Sequence, residues 1–284
     1  MRKSYSLKVV LFLGVLAAIV GGGLFAFWPQ IFSLIEEELI YQAKAKHWLL
    51  ASSGQTLPGT PDLKNFSRRL AEKSMALGSP IFLRIFKREF ALEVWLKRGD
   101  RFEHFATYPI CMWSGQLGPK LRQGDRQAPE GFYSVAKSSL NPNSKYRRSF
   151  NLGFPNAFDR ARGRTGSFLM VHGDCRSVGC YAMTDAVIDE IWSLVTAALD
   201  GAQERFQVQI FPFRMTDDNM ARHAHAPNAP FWRQLKAGYD AFETEHIPPD
   251  VSVCRSAYAV RPGSGRRDGG TPITSACPAE SSGS

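Results

Sequence analysis

The sequence predicts an α+β domain with a mostly β core and peripheral helices, preceded by a membrane-spanning helix. Short apolar runs rich in β-branched and aromatic residues dominate the middle of the chain. A few segments with helical periodicity flank and interrupt them, a pattern of α+β folds. One uncharged apolar run of membrane-crossing length stands at the N-terminus. With 284 residues, 44% of them hydrophobic, the chain can bury one sizeable core.

The N-terminal run extends from Val9 to Trp28, behind Arg2, Lys3 and Lys8. A secretory signal has an apolar stretch of about 7–15 residues and a small-residue cleavage site, whereas a spanning helix needs roughly 20. This run has the second length and ends in Phe25-Ala26-Phe27-Trp28-Pro29, without an Ala-x-Ala signal. Residues 1–8 are therefore read as a cytoplasmic segment and 9–28 as an uncleaved inner-membrane anchor, a cleaved signal being the alternative. Basic residues ahead of the run place the chain beyond Pro29 on the periplasmic side. Residues 33–52, rich in Ala and Leu with Glu36, Glu37, Glu38, Lys44 and Lys46, read as a helix within a stalk or linker over 29–57.

The main domain is assigned to 58–260. After the breaker Pro58-Gly59-Thr60-Pro61, a helix is expected over 63–77, with Leu63, Phe66, Leu70 and Leu77 on one face. Strands are expected at 81–86, 91–96, 102–110, 132–135, 168–171 and 206–213, the last half-buried because Phe206, Val208 and Ile210 alternate with Gln207 and Gln209. Helices are expected over 186–199 and 231–244. The Gly-, Ser-, Pro- and Arg-rich residues 261–284 read as a disordered tail, whose arginines add to a net charge of +9. That charge suits an anionic neighbour or simple solubility. No basic-aromatic nucleic-acid module is visible, no cofactor motif is found, and no metal site is expected. His223-Ala224-His225 reads as a solvated loop.

The chemistry-bearing stretch is His172-Gly173-Asp174-Cys175-Arg176-Ser177-Val178-Gly179-Cys180-Tyr181, between an apolar strand and a helix. A helix start offers N–H groups that favour thiolate, and a neighbouring imidazole can take and return a proton. Gly179 permits a tight backbone that exposes the sulfur and aims amides at an oxyanion. Cys180 is thus a candidate nucleophile. From residue types alone, a buried structural cysteine and an ordinary hydrogen-bonded histidine stay open.

His172-Gly173 followed by Ser177-Val178-Gly179-Cys180 resembles the signature of the YkuD-type L,D-transpeptidases. The extension through Tyr181-Ala182-Met183-Thr184-Asp185, with 124–133, 140–144 and 150–156, is similar to a YafK-like branch of that family. The resemblance implies a YkuD-like sandwich or barrel and a thioester on Cys180, with His172 as base. It further implies that Gly173 and Ser177 shape the pocket, that amides near Gly179 and Cys180 hold the oxyanion, and that the partner is peptidoglycan. In the YafK-like branch it implies release of a lipoprotein linked to diaminopimelate. A transpeptidase making 3→3 cross-links and a non-catalytic wall binder are the rival readings.

Two departures stand out: Val178 replaces a common histidine and Ala182 a common arginine. Arg176 and Tyr181 are taken as substrate-binding candidates, with Arg160, Arg162 and Arg164 behind them. Five cysteines leave at least one unpaired. Cys175 can pair with Cys111, stay reduced or modulate Cys180; Cys254 with Cys277 is a second candidate bridge.

Overall fold

Six consecutive buried residues form β1 (Ile81–Phe86), and such a run needs cover on both faces. It is the centre of a five-stranded sheet ordered β3 (Arg101–Pro109), β2 (Ala91–Arg98), β1, β10 (Arg205–Phe211), β5 (Gly131–Ala136). β1 runs parallel to β10, and the other pairings are antiparallel. Ile81, Leu83 and Ile85 enter one core with the apolar side of α4 (Asp185–Asp200). Phe86 enters a second core with Phe231, Trp232, Leu235 and Tyr239 of α6 (Ala229–Glu245). The computed structural model describes residues 31–264 and 270–277.

A second five-stranded sheet carries the cysteine. Its order is β4 (Met112–Trp113), β9 (Tyr181–Ala182), β8 (Met170–His172), β7 (Ser149–Asn151), β6 (Leu140–Asn141). Phe150, Val171 and Tyr181 from this sheet join the core around α4. Strands of two or three residues carry no readable period, so the sequence did not announce β4, β6, β7 or β9. A two-stranded sheet, β11 (Asp250–Cys254) with β12 (Ala257–Arg261), completes the set. The α+β class with peripheral helices is as expected.

One expectation falls beyond the described residues, and several local ones are corrected. The expected anchor lies outside the described residues, among which no helix is long and apolar enough to cross a membrane. The helix over 63–77 is a single 3-10 turn, Leu63–Asn65, running into α2 (Phe66–Glu72). It stops because Ser74 adopts a left-handed φ of 53°; Leu77 is exposed while Met75 is buried. β10 is buried on both faces. Gln207 donates to Pro249 O and Gln209 to Gln207, so polar residues alternate there without meeting solvent. The strand expected at 168–171 begins at Met170, and Phe168 is exposed.

The stalk reading changes too. Residues 31–52 are helical (α1) and lie against the domain. Ile40 is buried in the main core, Lys44 donates to Gly115 O and covers the Trp113 ring, and His47 bonds Ile110 O. His223 is buried where a solvated loop was expected. It caps α5 (Asp217–Arg222), bonds Glu36 of α1 and stacks on Phe213.

Both candidate bridges are formed, Cys111–Cys175 and Cys254–Cys277, leaving Cys180 as the free thiol. The second bridge revises the disordered tail: Val253 bonds Thr274 and Ala276 through the backbone, and Ile273 is buried. The first spans 64 residues and ties the chain after β3 to the loop before Cys180. Loop-closure entropy over that length is worth about 4 kcal/mol. Cys111→Ser/Cys175→Ser is therefore expected to unfold at a clearly lower denaturant midpoint; an unchanged midpoint would show that the bridge contributes nothing.

Candidate active site

β8 and β9 run parallel, with Val171 opposite Tyr181 and His172 opposite Ala182. Cys180 immediately precedes β9, and its sulfur receives the N–H of Met170 at 3.4 Å while lying 3.5 Å from Phe168 O. Side chains two apart along a strand share a face, so this register brings Cys180 and His172 to one side of adjoining strands. The imidazole is buried, and Tyr146 packs on it with ring centroids 5.0 Å apart. His172 Nδ1 lies 2.5 Å from Gly173 O. A carbonyl only accepts, so Nδ1 carries the proton and Nε2 is left as the acceptor.

Burial lowers the His172 pKa below the ordinary 6.5, against weaker opposing effects of Gly173 O and Asp174. Burial also raises the Cys180 thiol above its ordinary 9.0, despite the Met170 N–H and the positive charge of Lys120. Near neutral pH the pair therefore rests as neutral thiol and neutral imidazole. Burial works against the resting thiolate expected from a helix start, and the helix is not at hand to oppose it: β9 intervenes, and α4 begins only at Asp185. A helix dipole acts within its first turn, too short to reach Cys180.

The loop before the cysteine is pinned by hydroxyls. Ser177 Oγ donates to Cys180 O at 2.7 Å. Ser114 Oγ lies 3.2 Å from Ser177 Oγ and accepts the Gly179 N–H. Gly179 has a φ of 118°, which side chains rarely adopt. Gly173 is constrained by space instead, since a Cβ there would meet Asp185 Oδ1 at 2.6 Å. The motif over 124–131 forms the neighbouring wall. Asp125 collects the N–H groups of Leu121, Arg122 and Gln127 and pairs with Lys120. The backbone of Gln127 comes within 3.7 Å of where a Gly179 Cβ would stand.

The profile described as YkuD, L,D-transpeptidase catalytic domain, matches residues 83–229. The chain is 50% identical over 212 residues to YafK of Escherichia coli, provisionally named an L,D-transpeptidase, covering 75% of this chain and 82% of that protein. This protein belongs to the YkuD L,D-transpeptidase family. It is accordingly an enzyme of a family that acts on peptidoglycan. Among solved structures it is similar to a helical cell shape determining protein of Campylobacter jejuni, at 18% identity, covering 63% of this chain and 67% of that one, with a TM-score of 0.39.

Within this YkuD domain the expected site residues separate. Cys180, His172, Ser177, Gly179 and Gly173 converge on one loop and strand pair. Tyr181 does not serve a substrate: it is wholly buried and donates to Pro129 O. Arg176 is exposed and already paired with Asp174. Arg164 is buried against Asp159, Arg162 bonds Ser256 O, and Arg160 bonds Pro155 O. The Gly179 N–H, expected at the oxyanion, is occupied by Ser114.

Two residues were missed. Lys120 is the cation felt by Cys180, buried with its Cε against Gly166. Ser114 reaches the loop from 65 positions away. Neither carries a local signal, because a lone Lys or Ser after a short strand is commonplace. Ser114→Ala leaves the Gly179 N–H without this acceptor, a loss of about 1–3 kcal/mol for a buried donor. It is expected to lower kcat roughly tenfold or more with little change in KM. Unchanged kcat on the enzyme's own substrate would remove Ser114 from any positioning role.

Proposed function

We propose that this enzyme cleaves peptidoglycan stem peptides through a thioester on Cys180, with His172 as general acid and base. The observation that carries this reading is the His172 Nδ1–Gly173 O bond. It leaves Nε2 bare on the strand beside the one cysteine that is not in a disulfide. Nε2 takes the thiol proton as sulfur attacks the amide carbonyl next to an L-centre. When the tetrahedral oxyanion collapses, the C–N bond breaks and His172 gives the proton to the departing amine. Water then attacks the thioester with His172 again as base, restoring the thiol and releasing an acid. An amine in place of water gives a cross-link by the same steps.

Hydrolysis of a diaminopimelate-linked lipoprotein is the reading favoured here, on the similarity to the YafK-like branch. Incubating the full-length protein with muropeptides, with and without attached lipoprotein remnants, and identifying the products by mass spectrometry tests it. Release of the remnant is the expected result; new 3→3 cross-links without release would replace hydrolysis by transpeptidation.

The reading places the domain in the periplasm, held by the apolar run over 9–28. Two disulfides support an oxidising compartment. Protease accessibility in intact spheroplasts checks it: a domain protected until the inner membrane is lysed would contradict the placement.

A further inference from the structure

A cleft of about 530 Å³ lies between α1 and the loop that leads to Cys180. One wall carries Trp48, Ser52, Gln55 and Thr56; the other carries Asp174 and Arg176. Trp48 is 53% exposed, and α1 leaves Leu34, Ile35, Leu39, Tyr41 and Leu49 exposed as well, but of these Trp48 is the one that lines the cleft. No hydrogen bond is made by the side chains of Gln55 and Thr56 among the described residues, and both are exposed. Leu57 is 2% exposed, so the segment presenting them is anchored rather than loose. Asp174 is tied to Arg176, whereas Asp185 on the same wall takes the Asp174 N–H and is in no ion pair among the described residues.

An indole face flanked by hydroxyl and amide groups matches a neutral ligand with a flat apolar side and a polar rim. A pyranose ring has that chemistry. Asp185 adds a carboxylate that accepts from sugar hydroxyl and amide groups, and a stem-peptide amine is the competing ligand. The position also fits. Cys175 lines the cleft and Cys180 stands five residues on, a contour of at most ~17 Å. A peptide of three or four residues spans roughly 10–14 Å at full extension. A loop folded to within that span lets a sugar in the cleft present its attached peptide to the sulfur.

We infer that this cleft is a glycan subsite, in which Trp48 stacks an N-acetylated amino sugar of the peptidoglycan strand. The inference rests on peptidoglycan as the partner, and not on the chemistry assigned to Cys180. Its test is accordingly a binding measurement in the full-length Cys180→Ala protein, using glycan strands from which an amidase has removed the peptides.

Binding of these strands is expected, weakened roughly tenfold by Trp48→Ala and restored to within about threefold by Trp48→Phe, which keeps an aromatic face. An unchanged thermal midpoint in Trp48→Ala would confirm that the fold is intact. Full-strength binding by Trp48→Ala, no binding by the parent protein, or displacement of the strand by a free stem peptide would each overturn the subsite. A separate search for the Cys180 thioester by intact-protein mass spectrometry, with Cys180 present, tells a failure of the catalytic reading from a failure of this one.

Discussion

His172→Ala should lower kcat/KM on a stem-peptide substrate by roughly two to four orders of magnitude, and the size of the loss comes from the resting protonation states. With the thiol pushed above 9.0 and the imidazole below 6.5, neither group is charged near pH 7. The proton must therefore leave sulfur during attack, and Nε2 is its acceptor. The same states fix the sign of the pH dependence. Because the folded His172 pKa is depressed, activity appears as pH rises through a value below 6.5 and is fully present at neutrality. A resting thiolate–imidazolium pair would instead put the acid limb at a depressed thiol pKa, well below that of the imidazole.

Without the base, only pre-ionised thiolate reacts. The residual rate of His172→Ala should then climb about tenfold per pH unit into the alkaline range before levelling. Slow alkylation of Cys180 at pH 7, accelerating toward pH 9 and beyond, is the matching observation on the free enzyme. A parent-like pH profile in His172→Ala, or activity within tenfold of the parent, would reject His172 as the base. Cys180→Ala should abolish turnover altogether.

Lys87→Met is expected to cost about 3–5 kcal/mol of stability, the usual result of stranding one member of a buried ion pair. The Lys87 ammonium is wholly buried and donates to Gln116 O, Gly118 O, Ala128 O and Glu130 Oε1. Glu130 in turn accepts from the Gly118 N–H and from Trp232 Nε1. Removing the cation leaves the carboxylate uncompensated and Ala128 O without this donor, while Gln116 O and Gly118 O keep the Gln127 amide. Burial already pulls the Lys87 pKa down, with Glu130 opposing it, which shows how far the pair depends on mutual compensation.

Lys87→Met/Glu130→Gln should recover part of the loss, because no buried charge is then unpaired. Denaturant unfolding of the four proteins gives the coupling energy directly. A single-variant loss under about 1 kcal/mol, or a double variant that simply adds the two losses, would deny the pair this role. The consequence reaches the site, since the segment 116–130 clamped by Lys87 forms the wall beside Gly179.

Where a period extends over many residues, the sequence was sufficient. β1, β2, β5, α4 and α6 lie within a few residues of where alternation or helical spacing put them. β10 showed the limit of that reasoning: its glutamines alternate as a half-exposed strand would, yet Pro249 and α6 cover them. Residues 33–52 read as a helix but not as one docked on the domain, because the partners of Lys44 and His47 lie more than sixty positions away.

The amino-acid sequence by itself determined the family, through His172, Ser177, Gly179 and Cys180 at their spacing, and with it the class of partner. Tertiary structure alone decided the state of the site. Ionisation depends on burial and on charges brought from distant segments, so only the fold showed that burial pushes the Cys180 thiol up while Lys120 opposes it. It also decided which residues are available to a substrate. Tyr181 was withdrawn into the core and Arg176 into a pair with Asp174, while Ser114, unremarkable in the chain, came to hold Gly179. Spacing along the chain reports which groups can meet; whether they meet charged, neutral or already occupied is settled by what packs around them.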